Sequence, residues 1–343
     1  MPLSRLTDSG QLGKDFHIAS PAQKGLRSEC VLCQAASWPP DGVWFGRLNA
    51  STFLMSLTNA ISVDVEDYFQ TEAMSVVAPR TKWDSFPPHV EANTCALFEL
   101  FARYEVKATF FFLGWVVERF PQLARKAHDL GHEIGCHSYW HHPVFRMTSK
   151  EFWEDTYRAR RVIEDATGAP VIGYRAPNFS INQKVPWAYP ILEELGFQYD
   201  SSVNPVHHLL YDNHTAPRHP FRVGGRLLEL PIATWRICGQ NLPVGGGAYL
   251  RILPYALVEN GISAINRNEH APAVLYLHPW EIDDSQPRLE ASWKSRMRQY
   301  TGLAGMKSKL ERLLQQFALG RIYDSVYLPA LARTRDTIPP CSL

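Results

Sequence analysis

The chain has 343 residues, 45% of them hydrophobic and 20% charged, which excludes general disorder and supplies a sizeable core. Its 35 Lys and Arg against 34 Asp and Glu give no broad field for nucleic acid or an anionic membrane, so the expected partner is neutral or small. Six cysteines are scattered without the spacing of a secreted disulfide framework, and the lone Cys30-x-x-Cys33 lacks the further ligands of a structural zinc site. No segment approaches the roughly 20 apolar residues of a membrane span, and no basic-then-apolar leader opens the chain, so the sequence reads as cytoplasmic.

Residues 1–54 are rich in Ser, Pro, Gly, Gln and charge and read as a poorly structured extension. Met55, just before the first strand pattern, makes a later translation start an open alternative. Residues 55–343 read as one domain ending in helices. Strand and helix patterns alternate along it, as parallel α/β folds require. Strands are expected at 60–64, 108–113, 133–136, 171–174, 198–201, 228–231 and 274–278. Helices are expected at 91–104, at 116–130 with Gly131 as its cap, and from the capping box Thr148-Ser-Lys-Glu151 to Gly168. The stretch 289–317 is helix-like, with Trp293, Met297, Leu303, Leu310, Leu313 and Leu314 as packing residues.

Polar residues gather where the strand patterns end, which is where α/β folds carry their chemistry. His137 and His141 are four apart and can face one metal if the segment turns helically. Asp64, Glu66 and Asp67 follow the first strand and offer both a metal ligand and a base. His278 closes an apolar strand and can serve as a general acid. Arg175, beside a Pro-stiffened turn, can orient a carboxylate through a bidentate contact. The bland readings compete: a satisfied His pair, a solvated acidic turn, a structural strand-end His and a surface Arg.

Taken in order, Ser-Val-Asp64-Val-Glu-Asp67, His137-Ser-Tyr-Trp-His141, Arg175-Ala-Pro177 and Leu277-His278 resemble the motifs of the polysaccharide deacetylases, the NodB-homology group or carbohydrate esterase family four. The resemblance covers roughly residues 58–285. The forms Asp-Val-Glu-Asp-Tyr-Phe, Gly245-Gly-Gly-Ala-Tyr-Leu-Arg and His278-Pro-Trp-Glu-Ile-Asp283 are most similar to the branch associated with bacterial exopolysaccharide and exosortase gene clusters. The resemblance implies a distorted (β/α) barrel of about seven parallel strands and a divalent metal, usually zinc. It further implies hydrolysis of the N-acetyl group of N-acetylhexosamine units in a bacterial polysaccharide or its oligosaccharide precursor. By motif, Asp64 is the base, Arg175 its orienter, His278 the acid, and His137 and His141 are metal ligands. Pro177, Leu275, Leu277, Trp235 and Tyr249 are substrate-binding candidates, Leu275 or Leu277 toward the acetyl methyl.

One departure matters. The family pattern has two adjacent aspartates, whereas Val65 follows Asp64 here. Strand alternation puts Glu66 on the face of Asp64, while Asp67 keeps the expected residue type, so both stay open as the third ligand. Two other functions also stay open: an amidohydrolase of the same fold acting on a non-sugar amide or cyclic ureide, and a non-catalytic carbohydrate-binding barrel.

Overall fold

The computed structural model describes residues 57–208, 212–223 and 225–336. The expected extension 1–54, with Cys30-x-x-Cys33, lies outside them. The strands are β1 (Asn59–Val65), β2 (Thr109–Phe112), β3 (Glu133–Cys136), β4 (Gly173–Tyr174), β5 (Tyr199–Asp200), β6 (Phe221–Arg222), β7 (Leu228–Glu229), β8 (Thr234–Ile237), β9 (Gln240–Pro243), β10 (Val274–Leu277) and β11 (Leu319–Gly320). Between them run α1 (Val90–Arg103), α2 (Gly114–Arg119), α3 (Pro121–Asp129), α4 (Ser149–Thr167), α5 (Ala188–Glu194), α6 (Gly247–Ile252) and α7 (Tyr255–Asn268). Helices α8 (Trp293–Tyr300), α9 (Leu303–Gln316) and α10 (Leu328–Asp336) follow.

The main sheet runs β10-β1-β2-β3-β4-β5-β7-β6, with β11 also against β1. From β10 to β7 every pairing is parallel, and only β6 is antiparallel. This gives the expected run of parallel strands, curled as an open half-barrel. The chain beyond β7 returns to its free side: the Ala233 N–H donates to Val274 O (3.0 Å) and the Tyr276 N–H to Gly245 O (2.7 Å). β8 and β9 form a separate hairpin.

Strand alternation sorts the side chains onto two faces. Ala60, Phe111, Tyr199, Leu228, Val274 and Tyr276 fill the inside of the curl. Ile61, Val63, Phe110, Phe112, Leu275 and Leu277 face the helices in the larger core. Both faces are covered, which is why these strands read as nearly unbroken apolar runs.

Two helix expectations are corrected. The helix expected at 116–130 is broken at Phe120 (φ −129°, ψ 58°), because Pro121 starts a new helix at its first position. The stretch 289–317 is likewise two helices, separated at Gly302 in the left-handed region (φ 79°). Leu303, Leu310, Leu313 and Leu314 are buried as expected, but Trp293 (69% exposed) and Met297 (55% exposed) face solvent. The capping box at Thr148 and the left-handed caps Gly131 and Gly168 form as the sequence suggests.

Candidate active site

The inward faces of β1, β3, β4 and β10 converge at their C-terminal ends. Ser62, Asp64 and Glu66 alternate along and just past β1, and His137, Arg175 and His278 follow the last residues of β3, β4 and β10. All six are buried or nearly so.

Arg175 is fully buried and spends its donors on named partners. Nη1 donates to Asp64 Oδ1 (2.7 Å) and Ser62 Oγ (2.7 Å), Nε to Ser201 O (3.0 Å) and Nη2 to Ser201 Oγ (2.9 Å). The guanidinium also lies 4.3 Å over the Phe111 ring. The contact with Asp64 is therefore through one nitrogen rather than the expected fork, because the two serines take the remaining donors. This bond fixes Asp64 through Oδ1, with Oδ2 on the other side of the carboxyl.

The His137–His141 segment is not the helical turn expected from its spacing. Ser138 (φ 67°) and His141 (φ 54°) are left-handed, a conformation costing roughly 1–2 kcal/mol per non-glycine residue. The surroundings hold it there. Asp155 of α4 accepts the Tyr139 and Trp140 amides at 2.7 and 3.1 Å, Ser138 Oγ accepts the His141 amide at 3.1 Å, and Arg80 donates to the carbonyls of Trp140 and His141. The two imidazoles end 5.3 Å apart, centre to centre.

Glu66, His137 and His141 bring one ligand atom each within 4.8 Å of one another, all buried. Three observations fit these atoms to a divalent metal. His137 Nδ1 lies 2.8 Å from Arg175 O, so this nitrogen carries the proton and Nε2 presents its lone pair. Burial, opposed by Asp64, pulls the His137 pKa down to about 4 and keeps the ring neutral. Glu66 Oε2 and His141 Nε2 are buried against each other at 2.8 Å, so the carboxylate and the second imidazole meet at one point. Burial penalises the Glu66 charge, yet His141 and His278 outweigh it and lower the pKa to about 2.

Asp67 is not brought to this cluster. Its Oδ2 accepts the amides of His89 (2.8 Å) and Val90 (2.9 Å), and Oδ1 accepts that of Tyr68 (2.8 Å). It caps the N-terminus of α1. Of the two carboxylates left open by sequence, Glu66 alone faces the imidazoles.

His278 reaches the cluster from β10, with Nε2 3.6 Å from Glu66 Oε1 and Nδ1 3.1 Å from Glu281 Oε2. Burial disfavours its charge, but Glu66, Glu281 and Asp64 raise its pKa to about 9. Glu281 is itself paired with the buried Arg251 at 2.7 Å. Gly247 makes room for this pair, since a Cβ there would stand 1.9 Å from Glu281 Oε2. Trp280 stacks on His278 (5.3 Å, 19°) and donates from Nε1 to Glu66 Oε1 at 3.1 Å.

The substrate-side expectations fare unevenly. Leu275 and Leu277 lie on the opposite face of β10 from His278, in the helix-side core, so neither reaches the site. Tyr276 shares the inner face instead, edge-on to His278 at 5.6 Å. Trp235 sits on the β8–β9 hairpin just past Ala233, which bonds the start of β10; it packs beside Gly261 of α7, at the end of the strand away from His278. Pro177 is buried and opens a turn (Pro177–Phe179) directly after Arg175. Tyr249 is half-buried on α6. Sequence reasoning missed Ser62, Ser201, Asp155, Trp280, Glu281 and Arg251. Three of these were findable: Ser62 shares the strand parity of Asp64, and Trp280 and Glu281 stand in the same short run as His278. A second polar cluster, His207, Asp212 and His214, is exposed, with both Nδ1 atoms on one Asp212 oxygen at 3.3 and 2.9 Å.

Parts of the chain match known proteins. Residues 81–199 match the family model for polysaccharide deacetylase, and residues 201–326 match one described as a domain of unknown function, DUF3473. A peptidoglycan deacetylase of Helicobacter pylori is 33% identical over 113 residues, covering 33% of this chain and 38% of the relative. Chitin deacetylase 2 of Cryptococcus neoformans is 30% identical over 90 residues, 26% of this chain and 20% of the relative. The chain thus matches well under half the length of these curated relatives. A solved structure from Mycobacterium smegmatis, assigned to the polysaccharide deacetylases, covers 90% of this chain and 96% of its own at 18% identity and a TM-score of 0.51. It shares the fold.

Proposed function

We propose, from the kinship of residues 81–199 with the polysaccharide deacetylases, that this chain hydrolyses the N-acetyl group of N-acetylhexosamine units in a polysaccharide or its oligosaccharide precursor. The observation that carries the reading is the buried Glu66, His137 and His141 cluster, flanked by a carboxylate on Arg175 and by His278. Relatives named for peptidoglycan and chitin support the acetylated-sugar class. The forms Asp64-Val-Glu-Asp67 and His278-Pro-Trp-Glu281 support assignment to an exopolysaccharide branch.

In this reading Glu66, His137 and His141 hold a divalent cation, zinc by ligand type. When bound, it supplies Lewis acidity toward the acetamide carbonyl and lowers the pKa of water. Asp64, its Oδ1 fixed by Arg175, takes the proton of the attacking water at Oδ2. His278, held at Nδ1 by Glu281, gives a proton from Nε2 to the departing sugar nitrogen, which must leave as an amine. Tyr276, on the same inner face, and half-buried Tyr249 are the wall for the acyl group and the sugar.

Acetate release from N-acetylglucosamine oligomers tests the proposal, using chelated and zinc-restored protein beside Asp64→Asn and His137→Ala. Zinc-dependent release lost in both variants is expected. Ammonia without acetate would replace the sugar amide with another amide substrate, and binding without turnover would leave a carbohydrate-binding barrel.

A further inference from the structure

Glu66 reaches the imidazoles with a side chain one methylene longer and one torsion freer than an aspartate, and a floppy carboxylate can offer a metal either one oxygen or two. Trp280 removes that freedom. Its indole N–H donates to Glu66 Oε1 at 3.1 Å, while Oε2 stands 2.8 Å from His141 Nε2. The indole is 5% exposed and lies between His278, stacked at 5.3 Å, and the Arg251 guanidinium at 5.2 Å. Arg251 is anchored in turn on Glu281 and on the carbonyls of Arg298, Gln299 and Thr301.

Building on the metal reading above, we propose that Trp280 is a positioning residue for the metal: its N–H holds Glu66 Oε1 so that Glu66 ligates through Oε2 alone. The bond also keeps Oε1, 3.6 Å from His278 Nε2, from closing on the imidazole. One short segment, His278 to Glu281, thereby aligns both the proton donor and a ligand. Outer partners of metal ligands act in this way generally, and losing one weakens metal binding by about 10- to 100-fold.

The test is zinc affinity of the purified full chain by competition with a chromogenic chelator, in wild type, Trp280→Phe, Glu66→Asp and the double variant. Phenylalanine keeps a stacking ring and removes the N–H. Trp280→Phe is expected to weaken zinc by about 10- to 100-fold, and to add nothing in the Glu66→Asp background, whose shorter carboxylate falls short of the indole. With cobalt(II) in place of zinc, Trp280→Phe is expected to lower the visible absorption, as a second carboxylate oxygen raises the coordination number. Wild-type affinity and an unchanged cobalt spectrum in Trp280→Phe overturn the proposal, as does an equal loss in both Glu66 backgrounds. Zinc binding indifferent to His137→Ala overturns the underlying site as well. Zinc binding that needs His137 but ignores Trp280 overturns the indole's role alone.

Discussion

At the scale of single residues, two inward carboxylates two positions apart at the end of β1 and just past it have been given different surroundings. Asp64 meets a guanidinium and Glu66 meets imidazoles, and in the proposed mechanism that difference gives proton transfer to one and ligation to the other. His278→Ala is therefore expected to lower kcat by roughly 10²–10⁴-fold while zinc affinity stays near wild type, read by acetate release and chelator competition. Equal loss of both would make His278 a ligand instead of an acid. Strand parity in the sequence already favoured Glu66 as the companion of Asp64. What it could not show is why Asp67 is excluded, since that depends on the amides of His89 and Val90 arriving from more than twenty residues away.

At the scale of elements, Asp67→Ala removes the cap of α1, and an N-cap of this kind contributes about 1–2 kcal/mol. A lower unfolding midpoint in denaturant with unchanged zinc affinity is expected; a drop in zinc affinity would return Asp67 to the metal. Most strands were legible because apolar runs ended in polar residues, and the capping box and glycine caps marked α4 without ambiguity. The break before Pro121 was legible too and was overridden by an apolar periodicity that continues across it. The His137–His141 loop was not legible: its left-handed residues are sustained by Asp155 and Arg80, so its shape belongs to tertiary contacts. The faces of Leu275 and Leu277 follow from simple parity with His278, which places odd and even residues of β10 on opposite sides.

At the scale of the whole molecule, acid stability should report buried neutral imidazoles. His132 accepts the Ala108 amide at Nδ1 (3.1 Å) and stacks on Phe98; burial first, then Lys107 and Arg321, lower its pKa to about 4. A His depressed in the fold stabilises it fully above its unfolded pKa of about 6.5 and loses that contribution as pH falls toward 4. Its share is on the order of 2 kcal/mol. Urea unfolding between pH 7 and 4 is expected to show this limb, shallower in His132→Gln, where an amide oxygen can still accept from Ala108. An identical limb in the variant would assign acid sensitivity to other groups, such as His137 and His142, whose pKa values burial also lowers to about 4.

The two family models meet near residue 200, yet β10 lies beside β1 in the sheet, and His278, Trp280, Glu281 and Arg251 all come from the second stretch. The boundary between the two models therefore runs through the proposed site rather than beside it. Severed near that boundary, neither fragment should release acetate alone. Co-expressed, the fragments should reassemble through the β1–β10 edge and recover activity together.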